Sequence, residues 1–546
     1  MGKQKFHWRC RAVFLACLGM LCAFAGANAQ MRGELCSKLD PNNPAKRNVG
    51  TILQSNEDFY KMLLDGGERV ILDARDYEPC APTGTVTPRT EADKKGQDKP
   101  TVTKSRDDTG GIDRTSSDTL TMLGSGTIGR GVIPKLVDSF AGFRGARVST
   151  TYAGDTQTYA ISEPDGTKPF LTITVTLSGS KTSLPALIDR KTPVGMTSVQ
   201  YTDEQSETLL RLRGLSSRSE VEHVLALDGI MLVVHPNNPI RALDLCDAAK
   251  IFAGKTRYWP AGGPEKPIEV HSTYLSSGTF EVFKDLVMDR CHEQLGPAVL
   301  FHTGQPDVRA AVEANPSAIG FLGKSEVSAT VKTLSIGGRC GVEVAPTSFN
   351  IKSEDYLLSR RLYLYTPYKV GKNAESFLNF ALHNIEAQEA LRGGSTTNQT
   401  VETAPQDERL RLAASLPENK DELFPIFRRD VSGSERASIS FRFQFGSDKL
   451  DTKAQADVLR LVSYLQIMRP RQILLAGFTD DVGSVIQNRR LAENRAQAVR
   501  AAIARIDPSL LKNIEVKGYG KILPVTCNDS DLGRYKNRRV EIWLRA

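Results

Sequence analysis

The chain has 546 residues, 40% of them hydrophobic and 25% charged, which is enough for two or three domains with hydrophobic cores. Its net charge of +8 is spread along the sequence, without a dense Lys/Arg block or an aromatic and basic platform, and this pattern argues against nucleic-acid binding. After the N-terminal segment, no apolar run reaches the roughly 20 residues that a membrane-spanning helix requires.

The first 29 residues have the features of a secretory signal peptide. Basic residues precede an almost wholly apolar run over 12–25, and Ala27-Asn28-Ala29 has the small-residue pattern of a cleavage site. This order predicts export and cleavage after Ala29. An uncleaved anchor, or a lipoprotein signal at Cys17, is the alternative. The basic residues are Lys3, Lys5, Arg9 and Arg11.

Six cysteines remain after the signal peptide, an even number that permits disulfides in an exported protein. The pattern favours Cys36 with Cys80, which bracket one small segment, and then Cys291 with Cys340, while free buried thiols remain the alternative. The sequence has no CxxC motif and no Cys/His cluster at metal-ligand spacing, so we expect neither a metal nor another cofactor. The other two cysteines are Cys246 and Cys527.

Two segments precede the first large domain. Residues 30–80 form a small module with a predicted helix at Asp58–Leu64 and a predicted strand at Arg69–Leu72, and no motif assigns a function to it. Residues 81–117 are rich in Thr, Lys, Asp, Gly and Pro and have few large aliphatic residues, so they cannot bury enough apolar surface to fold. We interpret this second segment as a disordered linker.

The first large domain begins with a strand, a glycine-containing loop and a helix. The sequence predicts the strand at Leu120–Leu123, the loop at Gly124–Thr127 and the helix at Val132–Phe140. Backbone N–H groups at the start of a helix point outward and attract anions. This arrangement is therefore typical of an anion-binding loop.

Further strands and helices alternate downstream, which indicates an α/β domain. A long apolar strand at Leu225–Val234 is followed by Asn237-Asn238-Pro239, and Ser276-Ser277-Gly278-Thr279 opens a helix that continues to Leu286. In this order the segments resemble the periplasmic solute-binding proteins of the phosphate type, over residues 118–395. The remaining segments of the pattern are Tyr152–Thr156, Pro193–Ser198, Ala249–Trp259 and Val308–Gly323.

This resemblance implies two α/β lobes with a ligand in the cleft between them. One lobe would comprise 118–228 and 320–395 and the other 229–319, with chain crossings near Leu225–Val234 and Ala318–Leu322. The implied ligand is a small anionic solute such as phosphate, and the implied partner is an ABC transporter. The implied cleft residues are Ser125, Thr127, Ser198, Ser277, Gly278 and Thr279.

The charged residues that phosphate binders of this family use are replaced here. Thr273 and Leu275 stand at the positions of an arginine and an aspartate before the serine loop, and Ser198 stands where an acidic residue accepts the proton of the anion. Arg130, beside the first loop, is a candidate for the missing charge and equally a solvated helix residue. Another small ligand, or a degenerate cleft with a structural role, therefore stays open beside oxyanion binding.

A second linker and a C-terminal domain follow. Residues 396–436 contain turn-forming residues and are interpreted as a linker with a short helix at Leu410–Ala414. From residue 437 the hydrophobic pattern predicts a strand at Ile439–Phe445, an amphipathic helix around Val458–Leu465 and a buried strand at Ile473–Ala476. A second helix with an apolar stripe and two more strands follow, at Ala492–Ile503, Ile514–Val516 and Val540–Leu544.

The loop after the Ile473–Ala476 strand carries Asp480, and the next helix presents Asn488 and Arg495 on one face, seven residues apart. An acid and a base in one pocket suit a zwitterionic ligand that carries both an ammonium and a carboxylate. These residues lie within a motif that resembles the OmpA-like peptidoglycan-binding domain over residues 437–546. The other parts of that motif are Gly477–Gly483, Gly533-Arg534 and Asn537–Ile542.

This second resemblance implies that Asp480 takes the ammonium of diaminopimelate in the peptidoglycan stem peptide and that Arg495 takes its carboxylate. Asn488 and Arg538 complete the implied site. The alternatives are a structural ion pair between Asp480 and Arg495, and a role for Asn537 and Arg538 in bracing the loop.

The sequence thus predicts a two-lobed α/β binding module followed by an α+β OmpA-like domain. We expect an exported solute-binding protein that is held to peptidoglycan, in the periplasm or at the outer membrane. The main alternative is a structural or signalling protein of the cell envelope with a degenerate cleft. An enzyme of cell-wall chemistry is not favoured, because Ser277 lies outside a G-x-S-x-G motif and no histidine has a credible triad partner.

Overall fold

The computed structural model describes residues 117–545, except residues 167, 216, 276, 339 and 393–398, and the backbone of five strands between residues 31 and 79. The chain divides into two units, 1–101 and 102–546. The predicted signal peptide, most of the 81–117 linker and the expected Cys36–Cys80 disulfide lie outside the described residues. Within the described residues, no helix is both long and apolar enough to cross a membrane.

The first unit contains an antiparallel sheet whose strands are β1 (Met31–Ser37), β2 (Arg47–Ser55), β3 (Phe59–Leu64), β4 (Arg69–Asp73) and β5 (Tyr77–Pro79). The strand order is β4-β3-β2-β1-β5. The helix predicted at 58–64 is wrong, because residues 59–64 form β3 and pair with both β2 and β4. Six residues that lie between two strands pair more of their backbone N–H and C=O groups than they could in a helix of fewer than two turns. The strand predicted at 69–72 is confirmed.

Residues 117–392 of the second unit alternate strands with helices, which confirms the predicted α/β class. The strands are β6 (Asp118–Gly124), β7 (Arg147–Ala153), β8 (Thr156–Ser162), β9 (Leu171–Leu177), β10 (Val194–Thr197), β11 (Glu222–Val234), β12 (Ala242–Asp244), β13 (Glu269–Thr273), β14 (Leu300–His302), β15 (Ala318–Gly323), β16 (Lys332–Thr333), β17 (Ser335–Gly337), β18 (Glu343–Val344) and β19 (Ser359–Tyr365). The helices are α1 (Gly126–Gly131), α2 (Ile133–Arg144), α3 (Ser183–Ile188), α4 (Asp203–Arg213), α5 (Leu245–Phe252), α6 (Gly278–Phe283), α7 (Gln305–Ala314), α8 (Ser348–Lys352), α9 (Lys372–His383) and α10 (Ile385–Ala390).

Two hydrophobic cores divide residues 117–392 into a first lobe (117–226 and 359–392) and a second lobe (227–358). One sheet runs through both lobes in the order β14-β13-β15-β11-β19-β10-β6-β9-β8-β7. The long strand β11 crosses between the lobes, since its residues 222–229 pair with β19 and its residues 230–234 pair with β15. The crossing predicted near Leu225–Val234 is therefore confirmed.

The second crossing lies at Leu358–Ser359, where the chain enters β19, and not near Ala318–Leu322 as expected. Residues 318–323 form β15, which pairs with β13 and with the second half of β11. Both neighbours belong to the second lobe, so the apolar side chains of β15 are buried in that core. Residues 320–358, which were expected in the first lobe, therefore belong to the second.

Residues 399–545 form the C-terminal domain, whose sheet has the order β20-β21-β24-β22-β23. The helices α13 and α14 contribute their apolar stripes to a core shared with this sheet, as their spacing predicts. The predicted α+β class is confirmed for this domain. The elements are β20 (Thr403–Ala404), α11 (Asp407–Ala413), α12 (Leu423–Asp430), β21 (Glu435–Arg442), α13 (Thr452–Met468), β22 (Gln472–Phe478), α14 (Val485–Ile506), β23 (Ile514–Gly518), α15 (Asp531–Asn537) and β24 (Arg539–Arg545).

The segment 396–436, expected as a linker, is folded over its described residues. Thr403 and Ala404 pair with β21, and α11 and α12 cover the sheet face opposite to α13 and α14. Phe424 and Phe427 are buried in a cluster with Phe478 on that face. Because this segment supplies large apolar residues to a core, it is an integral part of the C-terminal domain rather than a flexible tether.

The C-terminal domain contacts both lobes close to the hinge. On the first lobe, Arg361 in β19 donates to Asp451, 2.6 Å away, at the start of α13. On the second lobe, Asp355 accepts hydrogen bonds from Arg436 and Arg442, each at 2.5 Å. Burial alone would raise the pKa of Asp355, but the two guanidinium groups hold it well below its ordinary value. The segment 396–436, which was interpreted as a linker, therefore does not leave the two lobes separate from the C-terminal domain.

Two disulfides lie in the described part of the chain, and neither is the expected Cys291–Cys340 pair. Cys246 bonds to Cys291 within the second lobe, and Cys340 bonds to Cys527 of the C-terminal domain. The sequence separations are 45 and 187 residues. The Cys340–Cys527 pairing depends on how the second lobe and the C-terminal domain dock, and the Cys246–Cys291 pairing depends on how the second lobe folds, neither of which spacing along the chain encodes.

Replacement of Lys536 by methionine is expected to stabilise the protein, and most strongly at low pH. Burial, partly opposed by Glu354, lowers the pKa of Lys536 from 10.5 to about 7, and its ammonium donates to Ser359 across the domain interface. The unfolded chain therefore binds the Lys536 proton more tightly than the folded chain does. Below pH 7 the side chain is charged in both states, and the cost of burying that charge opposes folding in full. This cost becomes smaller as the pH rises from 7 to 10.5. Urea unfolding should give a higher midpoint for Lys536→Met at pH 6.5 and a smaller difference at pH 9.5. The same change at exposed Lys420 should give no such trend, and a difference that grows with pH would contradict the expectation.

Candidate functional site

The first candidate site lies where β22 ends. Gly477 lets this strand approach α14, because a Cβ atom there would lie 1.9 Å from the carbonyl oxygen of Ala492. The loop that follows carries Asp480, which is only 4% exposed. Its Oδ2 accepts a hydrogen bond from Nη1 of Arg538 at 2.7 Å, and Arg538 also donates from Nε to the carbonyl of Phe443 at 3.0 Å.

Arg495 is completely buried on α14, next to this ion pair. It donates to the carbonyls of Ser447, Gln444 and Phe478 at 3.0, 3.3 and 3.5 Å, and no carboxylate forms a salt bridge with it in the described part of the chain. Burial, and then the neighbouring Arg538, lower its pKa to about 10, so Arg495 stays cationic at neutral pH. The site thus holds two guanidinium groups and one buried carboxylate, with the exposed Asp448 also within electrostatic range of Arg495. The buried carboxylate is bonded to Arg538, so a ligand carboxylate could pair with Arg495.

Two buried polar atoms beside Asp480 have no hydrogen-bond partner among the described residues. They are Oγ1 of Thr479 and Nδ2 of Asn488. Both residues adjoin Gly520, since Thr479 donates its N–H to the Gly520 carbonyl and a Cβ on Gly520 would lie 3.8 Å from that of Asn488. A buried polar group without a partner costs about 1–3 kcal/mol, so the two atoms mark a place where a polar ligand would be favourable.

The structure brings the four predicted residues of this site together, with one change of partner. Asp480 pairs with Arg538 rather than with Arg495, so the alternative of a direct structural Asp480–Arg495 pair is not observed. Asn537 accepts from the N–H of Val525 and donates to the carbonyl of Thr526, so it holds a different loop, whereas Arg538 braces the Asp480 loop as one of the alternatives had it. Thr479 was missed, although it stands directly before Asp480 in the motif.

The second candidate site lies at the carboxyl ends of the parallel neighbours β6 and β10. Ser125 and Ser198 follow these two strands, and their hydroxyl oxygens are 2.8 Å apart. The hydroxyl of Ser180 accepts from the N–H of Ser198 at 3.1 Å, which adds a third buried serine that the sequence patterns did not single out. The hydroxyl groups form a polar wall of the cleft on the first lobe.

The loops of the two lobes meet across this cleft. A Cβ atom on Gly278 would lie 2.9 Å from Oγ1 of Thr127 and 3.2 Å from its nitrogen, so only glycine allows this close approach. Ser277 caps α6 by accepting from the N–H groups of Thr279 and Phe280 at 3.2 and 3.4 Å. The structure therefore places Thr127 against the predicted Ser277–Thr279 loop.

Two charged residues at the hinge were missed by sequence reasoning. Arg360 of β19 and Asp228 of β11 are opposite each other in the two crossing strands, and both are buried. Asp228 is the one charged residue in the apolar run 225–234, and a single charge within a buried strand could have indicated a functional residue from the sequence. Arg130, the candidate charge from the sequence, is instead exposed and lies 3.4 Å from Asp155.

Comparison with known proteins matches both parts of the chain. Residues 115–384 match the PBP superfamily domain, and residues 442–538 match the OmpA family. The phosphate-binding protein PstS of Pseudomonas aeruginosa is 25% identical over 244 residues, which are 41% of this chain and 74% of that protein. Outer membrane porin F of the same organism is 31% identical over 111 residues, which are 20% of this chain and 32% of the porin. The solved peptidoglycan-associated lipoprotein of Burkholderia pseudomallei is 31% identical, with a TM-score of 0.18, over 19% of this chain and 89% of the lipoprotein.

Proposed function

Because the chain carries a PstS-like PBP superfamily domain followed by a C-terminal OmpA family domain, we propose that it is a periplasmic solute-binding protein held to peptidoglycan. The C-terminal pocket would hold the diaminopimelate residue of a stem peptide, and the cleft would hold a small oxyanion such as phosphate. An ABC transporter is the acceptor that a loaded cleft would serve. We assign no catalytic step to either site.

The observation that carries the anchoring function is Arg495, which is buried beside Asp480 and forms no salt bridge among the described residues. Diaminopimelate offers an ammonium and a carboxylate from one centre, which match Asp480 on one side and Arg495 on the other. Charge-assisted hydrogen bonds of this kind contribute roughly 1.5–3 kcal/mol each. The ligand would also supply partners for Thr479 and Asn488, whose buried polar atoms are otherwise unpaired among the described residues.

Replacement of Asp480 by asparagine is expected to weaken binding to peptidoglycan at least about tenfold, because it removes the carboxylate that accepts the ligand ammonium while keeping the side-chain shape. The measurement is co-sedimentation of the full chain with purified sacculi over a range of protein concentrations. Asp481, the adjacent and exposed carboxylate, gives the matched control.

We expect Asp481→Asn to bind as the unchanged protein does. Melting curves of both variants show whether each is folded before binding is compared. Equal binding by Asp480→Asn and the unchanged protein would refute the assignment of this pocket to peptidoglycan.

The observation that supports solute binding is the convergence of hydroxyl groups from both lobes at the cleft. Ser125, Ser198 and Thr127 come from the first lobe, and the Ser277–Thr279 loop of the second lobe packs against Thr127. Neutral donors arranged around a closed cleft suit a small anion that accepts several hydrogen bonds. The competing function is a structural or signalling role for an empty cleft, which the two donor loops in near contact would also permit.

Melting of the full chain in the presence of inorganic phosphate or sulfate separates these two functions. A ligand at one hundred times its dissociation constant stabilises the folded state by about 2.7 kcal/mol, which gives a measurable rise in melting temperature. Absence of a shift with either anion at millimolar concentration would favour the structural role.

A further inference from the structure

The cleft has lost the charged residues expected on its second-lobe loop. Thr273, at the end of β13, stands where an arginine was expected, and it is 1% exposed. Its hydroxyl has no hydrogen-bond partner among the described residues. If the cleft binds an anion as proposed above, the positive charge has to come from another part of the fold.

Arg360 reaches the cleft from the hinge. Its Nε and Nη2 both donate to Oδ2 of Asp228, at 3.1 and 3.0 Å, and Nη2 also donates to Oγ1 of Thr127 at 3.1 Å. Thr127 is the residue against which Gly278 of the opposite lobe packs. The guanidinium group therefore lies where the hinge strands and the donor loops of both lobes converge.

The guanidinium group of Arg360 is held in place, but not all of its N–H donors take part in the hydrogen bonds to Asp228 and Thr127. Guanidinium offers five N–H donors in a rigid plane, and the three hydrogen bonds above involve only Nε and Nη2. In the described part of the chain, Nη1 has no hydrogen-bond partner. Asp228 is itself held in place, because its other oxygen accepts from the N–H of Gly229 at 2.8 Å. An arginine held this way presents its remaining donors at little further cost in conformational entropy.

We propose that Arg360 is the charged ligand of the cleft and binds a tetrahedral oxyanion through the free edge of its guanidinium group, next to the Thr127 hydroxyl. This assignment rests on the proposed function of the cleft. It places the charge on β19, a hinge strand, instead of on the loop before Ser277. The anion would then contact the strand by which the chain returns from the second lobe to the first.

The surrounding charges define how the anion is held. Arg360 is already paired with Asp228, and Glu281 and Asp285 of the second lobe also lie within electrostatic range of its guanidinium group. Lys181 of the first lobe lies within electrostatic range of both Glu281 and Asp285. Lys324 lies within electrostatic range of Asp228, so three cationic side chains are set against three carboxylates and the cleft has no net positive charge. Binding depends on directed N–H and O–H donors at short range, so the affinity should change little with ionic strength.

The test compares two arginines that flank Thr127. In the full chain, Arg360→Gln is expected to lower the affinity for inorganic phosphate or sulfate, whichever the unchanged protein binds, by at least about tenfold in calorimetric titration. Arg130→Gln removes an exposed arginine from α1, the helix that contains Thr127, and should leave the affinity unchanged. Arg360→Lys keeps the charge but not the planar fork and should give an intermediate affinity, an effect that a purely structural role at the hinge would not produce.

Loss of Arg360 leaves Asp228 buried without its partner, so the pair Asp228→Asn with Arg360→Gln is a second variant that removes both charges together. It should fold and should bind neither anion. Full affinity in this double variant or in Arg360→Gln, or loss of affinity in Arg130→Gln alone, would overturn the assignment. If the unchanged protein binds neither phosphate nor sulfate, the proposed function of the cleft fails together with the Arg360 assignment. If the unchanged protein binds one of these anions and Arg360→Gln binds it equally well, only the Arg360 assignment fails.

Discussion

The Asp355→Ala variant is expected to lose about 3–5 kcal/mol of the free energy of unfolding, because removal of one partner leaves buried charges uncompensated. Asp355 is 3% exposed, and the side chains of Arg436 and Arg442, to which it is bonded, are completely buried. Arg436 keeps Glu541 within 3.4 Å, whereas Arg442 would keep only the backbone carbonyls of Lys536 and Ser353.

Urea unfolding of the full chain measures this loss as a lower midpoint. The control is Glu408→Ala, which removes an exposed carboxylate paired with Arg411 on the surface of α11 and should not change the midpoint. Similar midpoints for the two variants would show that the Asp355 cluster does not stabilise the docking of the domains. The loss should also shrink at acidic pH, because a carboxylate with a depressed pKa contributes its stability only while it is ionised.

The Gly477→Ala variant is expected to destabilise the C-terminal domain by about 3 kcal/mol and to abolish binding to peptidoglycan. The new methyl group would lie 1.9 Å from the carbonyl oxygen of Ala492, and backbone atoms of a long helix cannot move aside as a side chain can. Gly518, its neighbour in β23, faces α14 in the same way, with 2.2 Å to the carbonyl oxygen of Arg489. The two glycines together let the helix lie directly on the strands, and Thr479 and Asp480 follow Gly477 after one intervening residue, Phe478.

Thermal unfolding and sacculus co-sedimentation measure the two effects of Gly477→Ala. Gly142, near the end of α2, gives the matched control, because a Cβ atom there would meet no atom within 4 Å. Alanine at that position should stabilise the helix by about 0.5–1 kcal/mol and leave binding unchanged. A Gly477→Ala protein that melts normally and binds sacculi would show that α14 can shift away from β22.

The C-terminal domain was the part of the chain that local patterns predicted best. The apolar residues Val458, Leu461 and Leu465 repeat at helical spacing and are buried in α13, and Ile473–Ala476 lies within β22. The positions of Asp480 and Arg495 were predicted from the OmpA-like motif that begins at Gly477. That Asp480 would pair with Arg538 did not follow, because the two residues are 58 positions apart and meet only through the order of β22 and β24 in the sheet.

The cleft was predicted less completely, for a physical reason. Ser125 and Ser198 follow strands with clear apolar patterns, so their convergence at neighbouring strand ends could be inferred. Arg360 lies at the start of β19, whose place in the sheet depends on where the chain crosses back between the lobes. The apolar run Ala318–Leu322 was predicted to be that crossing but is part of β15, a buried strand of the second lobe. Arg360, the residue that we propose as the charged ligand of the cleft, was therefore not singled out from the sequence.

The disulfide between Cys340 and Cys527 has a consequence for proteolysis. It joins the second lobe to the C-terminal domain, whereas the polypeptide leaves the lobes only after residue 392. A protease that cuts a single peptide bond between residues 340 and 527 yields two fragments that stay covalently joined. Shedding of the lobes from the C-terminal domain requires both that cut and a reductant, so in an oxidising compartment a nicked molecule keeps its two domains together.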